Sequence, residues 1–169
     1  ADHPPGIFWY HPHLHGSSGA QVSSGMFGAI IIEGSTNEYF DPQLATERVM
    51  FMHKHNFSSS GTTNTFAEAA VPEPSAFLIN GVSQPTIVMR PGEVQVWHFI
   101  NSATFYPFNI YLEGHTLQAF ARDGDPIPEG FRPVTAESAA RFTNPNWSNN
   151  IQGWPGTFAS SGSRISVII

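Results

Sequence analysis

Three histidines stand at alternate positions in Gly6-Ile7-Phe8-Trp9-Tyr10-His11-Pro12-His13-Leu14-His15-Gly16. Neutral imidazole ligates copper, zinc, iron and nickel, so the residue type points to metal chemistry without choosing the metal. The apolar, aromatic run that precedes the histidines predicts a β-strand. If that strand continues, residues i, i+2 and i+4 share one face. His11, His13 and His15 are therefore expected to project together as candidate metal ligands. His15 abuts Gly16 and a polar turn, a place better suited to a neighbour of the metal or to solvent. The competing reading is of strand histidines bonded to backbone, because two imidazoles alone leave a trigonal or tetrahedral site incomplete.

Other metal patterns fail on their own chemistry. A helical His-Glu-x-x-His site needs a Glu between histidines four apart; His11 and His15 have the spacing, but Pro12 lies between them and no Glu does. A cupin-type barrel places an acidic ligand shortly after its His-x-His, where this chain has Ser17 and Ser18. His53 and His55 form a second His-x-His around Lys54, with no third ligand evident. His115, between Gly114 and Thr116, suits a turn; His98, beside Trp97, suits packing; His3 sits near the terminus. No Ser-His-Asp set follows from sequence order, and no paired carboxylates mark an acid–base site.

The elements that must hold such a site read as short strands. Fifteen Gly and 14 Pro in 169 residues, 13% aromatic and only 12% charged, suit strands joined by many turns. A net charge of -6 with 7 Lys and Arg argues against nucleic acid. No apolar run approaches the roughly 20 residues of a membrane span. The start, Ala1-Asp2-His3-Pro4-Pro5, lacks the basic and apolar regions of a signal peptide. With no Cys there is no disulfide, thiolate site or cysteine nucleophile.

Along the chain, Gly16–Gly19 reads as a polar turn and Ala29-Ile30-Ile31-Ile32 as a buried strand. Residues 35–45 read as a linker. A second series of strands then follows at residues 47–55, 77–81, 85–89, 94–100, 108–112, 116–120 and 162–169, with Asn80-Gly81 as a tight turn. That spacing predicts an antiparallel sandwich or barrel. Residues 135–157 look like a surface insertion with some helix near 136–141.

In these stretches the chain resembles the multicopper oxidases, the family of laccases and related blue copper enzymes. Residues 5–16 are similar to the family's second histidine motif, near the end of its first cupredoxin domain, and residues 21–33 to the strand that completes that domain. Leu78-Ile79-Asn80-Gly81, Met89 to Trp97, Gly114-His115-Thr116-Leu117 and Ala121-Arg122-Asp123-Gly124 resemble its second domain. The closing strand, 163–169, also resembles the family, although Ser160-Ser161-Gly162-Ser163 departs from its usual turn.

The resemblance implies an all-β, cupredoxin-like Greek-key sandwich at 46–169, preceded by the final strands of another cupredoxin domain at 1–34. It implies copper, with His11 and His13 each ligating a different ion of the type 3 pair in a trinuclear cluster, and His15 outside the ligand set. It also implies a reducing substrate oxidised one electron at a time, dioxygen reduced to water, partner cupredoxin domains, and a periplasmic or secreted location. The type 1 site needs a Cys thiolate that this sequence lacks. Two histidines fall short of the ligand set such a cluster takes. The expectation is an internal fragment of a longer oxidase, inactive alone, with no nucleic-acid or membrane partner. The alternatives are a stand-alone, non-catalytic cupredoxin-like sandwich with a degenerate copper motif, and a zinc or iron enzyme needing an acidic ligand.

Overall fold

The computed structural model describes residues 3–34, 41, 43–56, 60, 62, 75–104, 106, 108–127, 132–134 and 164–169. Strands dominate them. β1 (Gly6–Tyr10) and β2 (Gly28–Ile32) form an antiparallel pair, with a short helix α1 (Ser18–Ser23) in the connection. β3 (Ala45–Asn56), β4 (Ser75–Ile79), β5 (Val94–Asn101), β6 (Leu117–Arg122), β7 (Asp125–Pro126), β8 (Arg132–Val134) and β9 (Arg164–Ile168) build a larger sheet, ordered β4-β3-β5-β9-β6-β7 with β8 on β6. The expected helix near 136–141 lies outside the described residues.

Pairing is antiparallel except between β3 and β5, which run parallel. This corrects the purely antiparallel expectation. The chain turns back as β4 on one edge of β3, then crosses to the other edge to become β5. The turn after β4 is the expected one: Asn80 and Gly81 take φ of 50° and 80°, and Ile79 and Val82 exchange both backbone hydrogen bonds. Asn80 also ties the turn to β3, accepting from the Phe51 amide at 2.8 Å and donating to the Val49 carbonyl at 2.9 Å.

Two expected strands are not strands. Residues 85–90 alternate half-buried and exposed positions, yet form no ladder. Pro85 and Pro91 have no N–H to give one. Residues 108–112 contribute isolated bridges only, one of them Leu112 to His115. Both segments still cover the core: Ile87, Met89, Phe108 and Leu112 pack on a cluster of Met50, Met52, Trp97, Phe99, Ile110, Leu117, Ala119 and Ile127. The opposite face of β5 and β6 buries Val96, Phe120 and Ala121, with Ala45 against them. A bulge between Ala119 and Ala121 lets adjacent Phe120 and Ala121 join one cluster.

His98 lies on that second face, 2% exposed at its side chain, with its ring edge-on to Phe120. Its Nε2 is 3.9 Å from Glu47 Oε2, too long for a hydrogen bond, and burial outweighs the attraction. Burial pushes the imidazole down to about 4. It raises the Glu47 carboxyl, with Glu33 adding to the rise. Because the unfolded chain binds the His98 proton first as pH falls through 6.5, stability drops between about pH 6.5 and 4, by about 3 kcal/mol at full effect. The raised Glu47 offsets part of this, since the folded state takes up that proton first. Urea midpoints across this range will fall for the native chain and fall less for His98→Gln; equal slopes would contradict the assignment.

Candidate metal centre

β1 ends at Tyr10, before the histidines. Pro12 has no N–H to continue a ladder, and residues 11–14 leave the strand without hydrogen-bonded pairing. The expectation that all three histidines share a strand face is therefore corrected: they occupy an irregular exit segment and the turn that follows. Their rings still adjoin. His11 and His13 centroids lie 6.1 Å apart, and His13 and His15 lie 5.2 Å apart, edge to face. All three are exposed.

Flanking elements hold this segment on both sides. Trp9, the last aromatic before the site, stacks on His11 with centroids 4.4 Å apart and planes 27° apart. His11 Nδ1 lies 2.9 Å from the Pro12 carbonyl, which can only accept, so Nδ1 carries the proton and Nε2 keeps its lone pair. A neutral ring in that tautomer can ligate a metal through Nε2. From the other side, the Ser18 hydroxyl donates to the same Pro12 carbonyl, while the amides of Ser17 and Ser18 donate to the Leu14 carbonyl at 3.0 and 2.9 Å. Thus α1, which starts at the end of the expected polar turn and runs on to Ser23, anchors the histidine loop through its first residue.

The site is open rather than closed. Among the described residues no three His, Cys, Asp or Glu side chains come together as a group that could hold a metal ion. The imidazole pair and its tautomer fit partial ligation, with further donors needed from elsewhere.

The remaining histidines separate by environment. His53 is buried at 5% exposure, with Nδ1 3.0 Å from the Ser102 carbonyl and Nε2 3.3 Å from the Ser23 carbonyl. Both nitrogens are engaged, which removes it from the second His-x-His as a ligand. Desolvation pushes its pKa down, against the two carbonyls that raise it, and His55 lowers it further. His115 Nδ1 donates to Glu113 in a turn, as expected, and His3 bonds Pro4 and meets the Phe8 edge.

An apolar cavity of about 610 Å³ opens beside Met50, Phe77, Trp97, Phe99, Tyr106 and Phe108. Among the described residues its lining carries no carboxylate, imidazole or amine. No helix among the described residues is long and apolar enough to cross a membrane.

A family model described as "Multicopper oxidase" matches residues 50–138. Among curated proteins, the chain is 25% identical over 177 residues to the oxidoreductase ptaE of Pestalotiopsis fici, covering 88% of this chain and 27% of that protein. It is 27% identical over 122 residues to the iron transport multicopper oxidase FET3 of Candida albicans, covering 70% and 19%. The chain thus spans about a quarter or less of these relatives. Among solved structures, a laccase from Pediococcus acidilactici superimposes with a TM-score of 0.72 at 15% identity, covering 99% of this chain and 33% of that one. The McoA multicopper oxidase of Aquifex aeolicus gives 0.69 at 19% identity, covering 98% and 34%. At such identities the likeness speaks for the fold, which is all-β and cupredoxin-like.

Proposed function

The chain belongs to the multicopper oxidase family, and from that premise we propose that it is part of a longer, laccase-like oxidase to which it contributes His11 and His13 as ligands of the type 3 copper pair. In this reading residues 1–34 close a first cupredoxin domain, 35–45 link, and 46–169 form a second cupredoxin-like domain without copper of its own. Bound copper supplies one-electron oxidation of a small reducing substrate and reduction of dioxygen to water. This chain's residues present and orient. The Pro12 carbonyl fixes the His11 tautomer, Trp9 fixes its ring plane, and α1 fixes the loop. His15 stands beside the pair without ligating. The partners are the family's other cupredoxin domains, and the location is periplasmic or secreted.

The observation that carries the reading is the exposed, adjoining imidazole pair with His11 Nε2 left as a donor. Exposed Tyr10, Leu14, Met26, Ile30 and Ile31 lie in or beside β1 and β2, with Ile30 and Ile31 on opposite faces of the pair, apolar surface suited to further domain structure. The Ile run, expected as a buried strand, is open in this chain: Ile30 and Ile31 are 42% and 48% exposed.

A second reading, a non-catalytic sandwich with a degenerate motif, draws on the absence of any three-residue metal group among the described residues. Copper titration separates the two. We expect saturable uptake by this chain, weakened about tenfold or more by His11→Ala and by His13→Ala, with neither intense blue colour nor oxidase turnover. Uptake indifferent to both substitutions favours the degenerate sandwich.

A further inference from the structure

The carbonyls at the end of α1 have identifiable donors. Ala20 receives the Ser24 amide and hydroxyl, Gln21 the Ser24 and Met26 amides, and Val22 the Gly25 amide. The last one, Ser23, faces Nε2 of His53, thirty residues further along the chain on β3, at 3.3 Å. Final-turn carbonyls have no intrahelical partner and need a donor from outside. The same helix end is tied by Ser23 Oγ to Thr104 Oγ1 at 2.7 Å, and Phe27 packs its ring on both His53 and Phe51. The other end of α1 holds the histidine loop, through Ser18 and the Pro12 carbonyl.

A neutral imidazole has one N–H, and both His53 nitrogens face carbonyls. If Nδ1 carries the proton, Ser102 O is satisfied while the Nε2 lone pair confronts Ser23 O, leaving two polar atoms without partners in this cluster. If Nε2 carries it, Ser23 O is capped and the Ser102 hydroxyl, 3.3 Å from Nδ1, supplies the donor that Nδ1 needs. Met52 O gives up the Ser102 hydroxyl at 3.1 Å but keeps the Ser102 amide at 2.9 Å, so Ser102 O, 3.0 Å from Nδ1, is the one group of this cluster left without its donor. The second arrangement leaves fewer unmet groups.

We propose that His53, as the Nε2–H tautomer fed by Ser102, is the C-terminal cap of α1 and a positioning residue for the histidine loop. The connection runs from His53 to Ser23, along α1, and from Ser18 to the carbonyl that sets the His11 tautomer. Its consequence at the metal rests on the reading of His11 and His13 as copper ligands; the cap itself does not.

The test uses the metal-free chain first. Long-range 1H–15N spectra will show His53 protonated at Nε2, and Ser102→Ala will shift the population toward Nδ1–H. His53→Phe, which keeps ring bulk without the donor, will raise exchange of the Ser24, Gly25 and Met26 amides about tenfold or more. His53→Gln, which keeps a donor, will restore most of the protection. Copper titration will then show about tenfold weaker binding in His53→Phe, with His53→Gln close to native. A native Nδ1–H tautomer, or unchanged exchange in folded His53→Phe, overturns the cap. Faster exchange with undiminished copper binding overturns the positioning role. If native binding ignores His11→Ala and His13→Ala, the ligand reading and with it the positioning role fail, while tautomer and exchange still decide the cap. Should His53→Phe fail to fold, Ser102→Ala carries the same tautomer and exchange tests.

Discussion

In the longer oxidase proposed to contain this sequence, His11→Ala and His13→Ala are each expected to lower dioxygen consumption by at least about a hundredfold at saturating reducing substrate. Outer partners of metal ligands already carry about 10- to 100-fold effects, and a direct ligand sets the upper part of that scale. His11 is the better defined of the two, with Nδ1 donated to Pro12 at 2.9 Å and the ring stacked on Trp9. His15→Ala is the internal control. Its ring only meets the edge of His13 at 5.2 Å, so its loss should cost less than about threefold. An oxygen electrode reads all three variants. Near-native turnover in His13→Ala would remove the pair from the chemistry.

The second large effect is on stability, at the contact that seats β1 on the larger sheet. A Cβ at Gly6 would come within 2.3 Å of the Gly124 carbonyl oxygen, and one at Gly124 within 2.5 Å of Phe8 Cε1. Backbone meets backbone in the first case, so no rotamer change relieves the clash. Gly6→Ala should cost about 2–4 kcal/mol, the range of overpacked or strained sites. Gly92→Ala is the comparison: φ is also positive, +80°, but nothing lies within 4 Å. It carries only the backbone penalty of about 1 kcal/mol. Urea midpoints with unchanged m-values will separate the two; equal losses would mean that β1 does not dock as described. Because β1 leads directly into His11, Gly6→Ala should also loosen the metal loop.

That the histidines lie side by side was legible from their alternation, and their rings do adjoin; their role as ligands stays a proposal. The strand that was to carry it was over-extended, because the aromatic run outweighed the single Pro12 that ends the ladder. Helix α1 left little trace in Ser18-Gly19-Ala20-Gln21-Val22-Ser23. Serine and glycine are indifferent or poor helix formers, and its N-cap residue, Ser17, makes no side-chain cap bond. Tertiary contact holds it instead, with Gly19 and Val22 buried and both ends tied to other elements. The parallel β3–β5 pair was invisible for a different reason: periodicity reports which residues face a core and not which strand lies alongside. His53 shows the limit of spacing. Its His-x-His matched a metal pair, whereas burial and two carbonyls give it a structural task.

The most direct measurement is a histidine side-chain NMR titration of this chain with Cu(I), which is diamagnetic and leaves every ring observable. The account predicts saturable shifts at His11 and His13 first, a smaller response at His15, and none at His3, His53, His98 or His115. Saturation at His53 or His115 instead, or no saturable shift at His11 and His13, would contradict it.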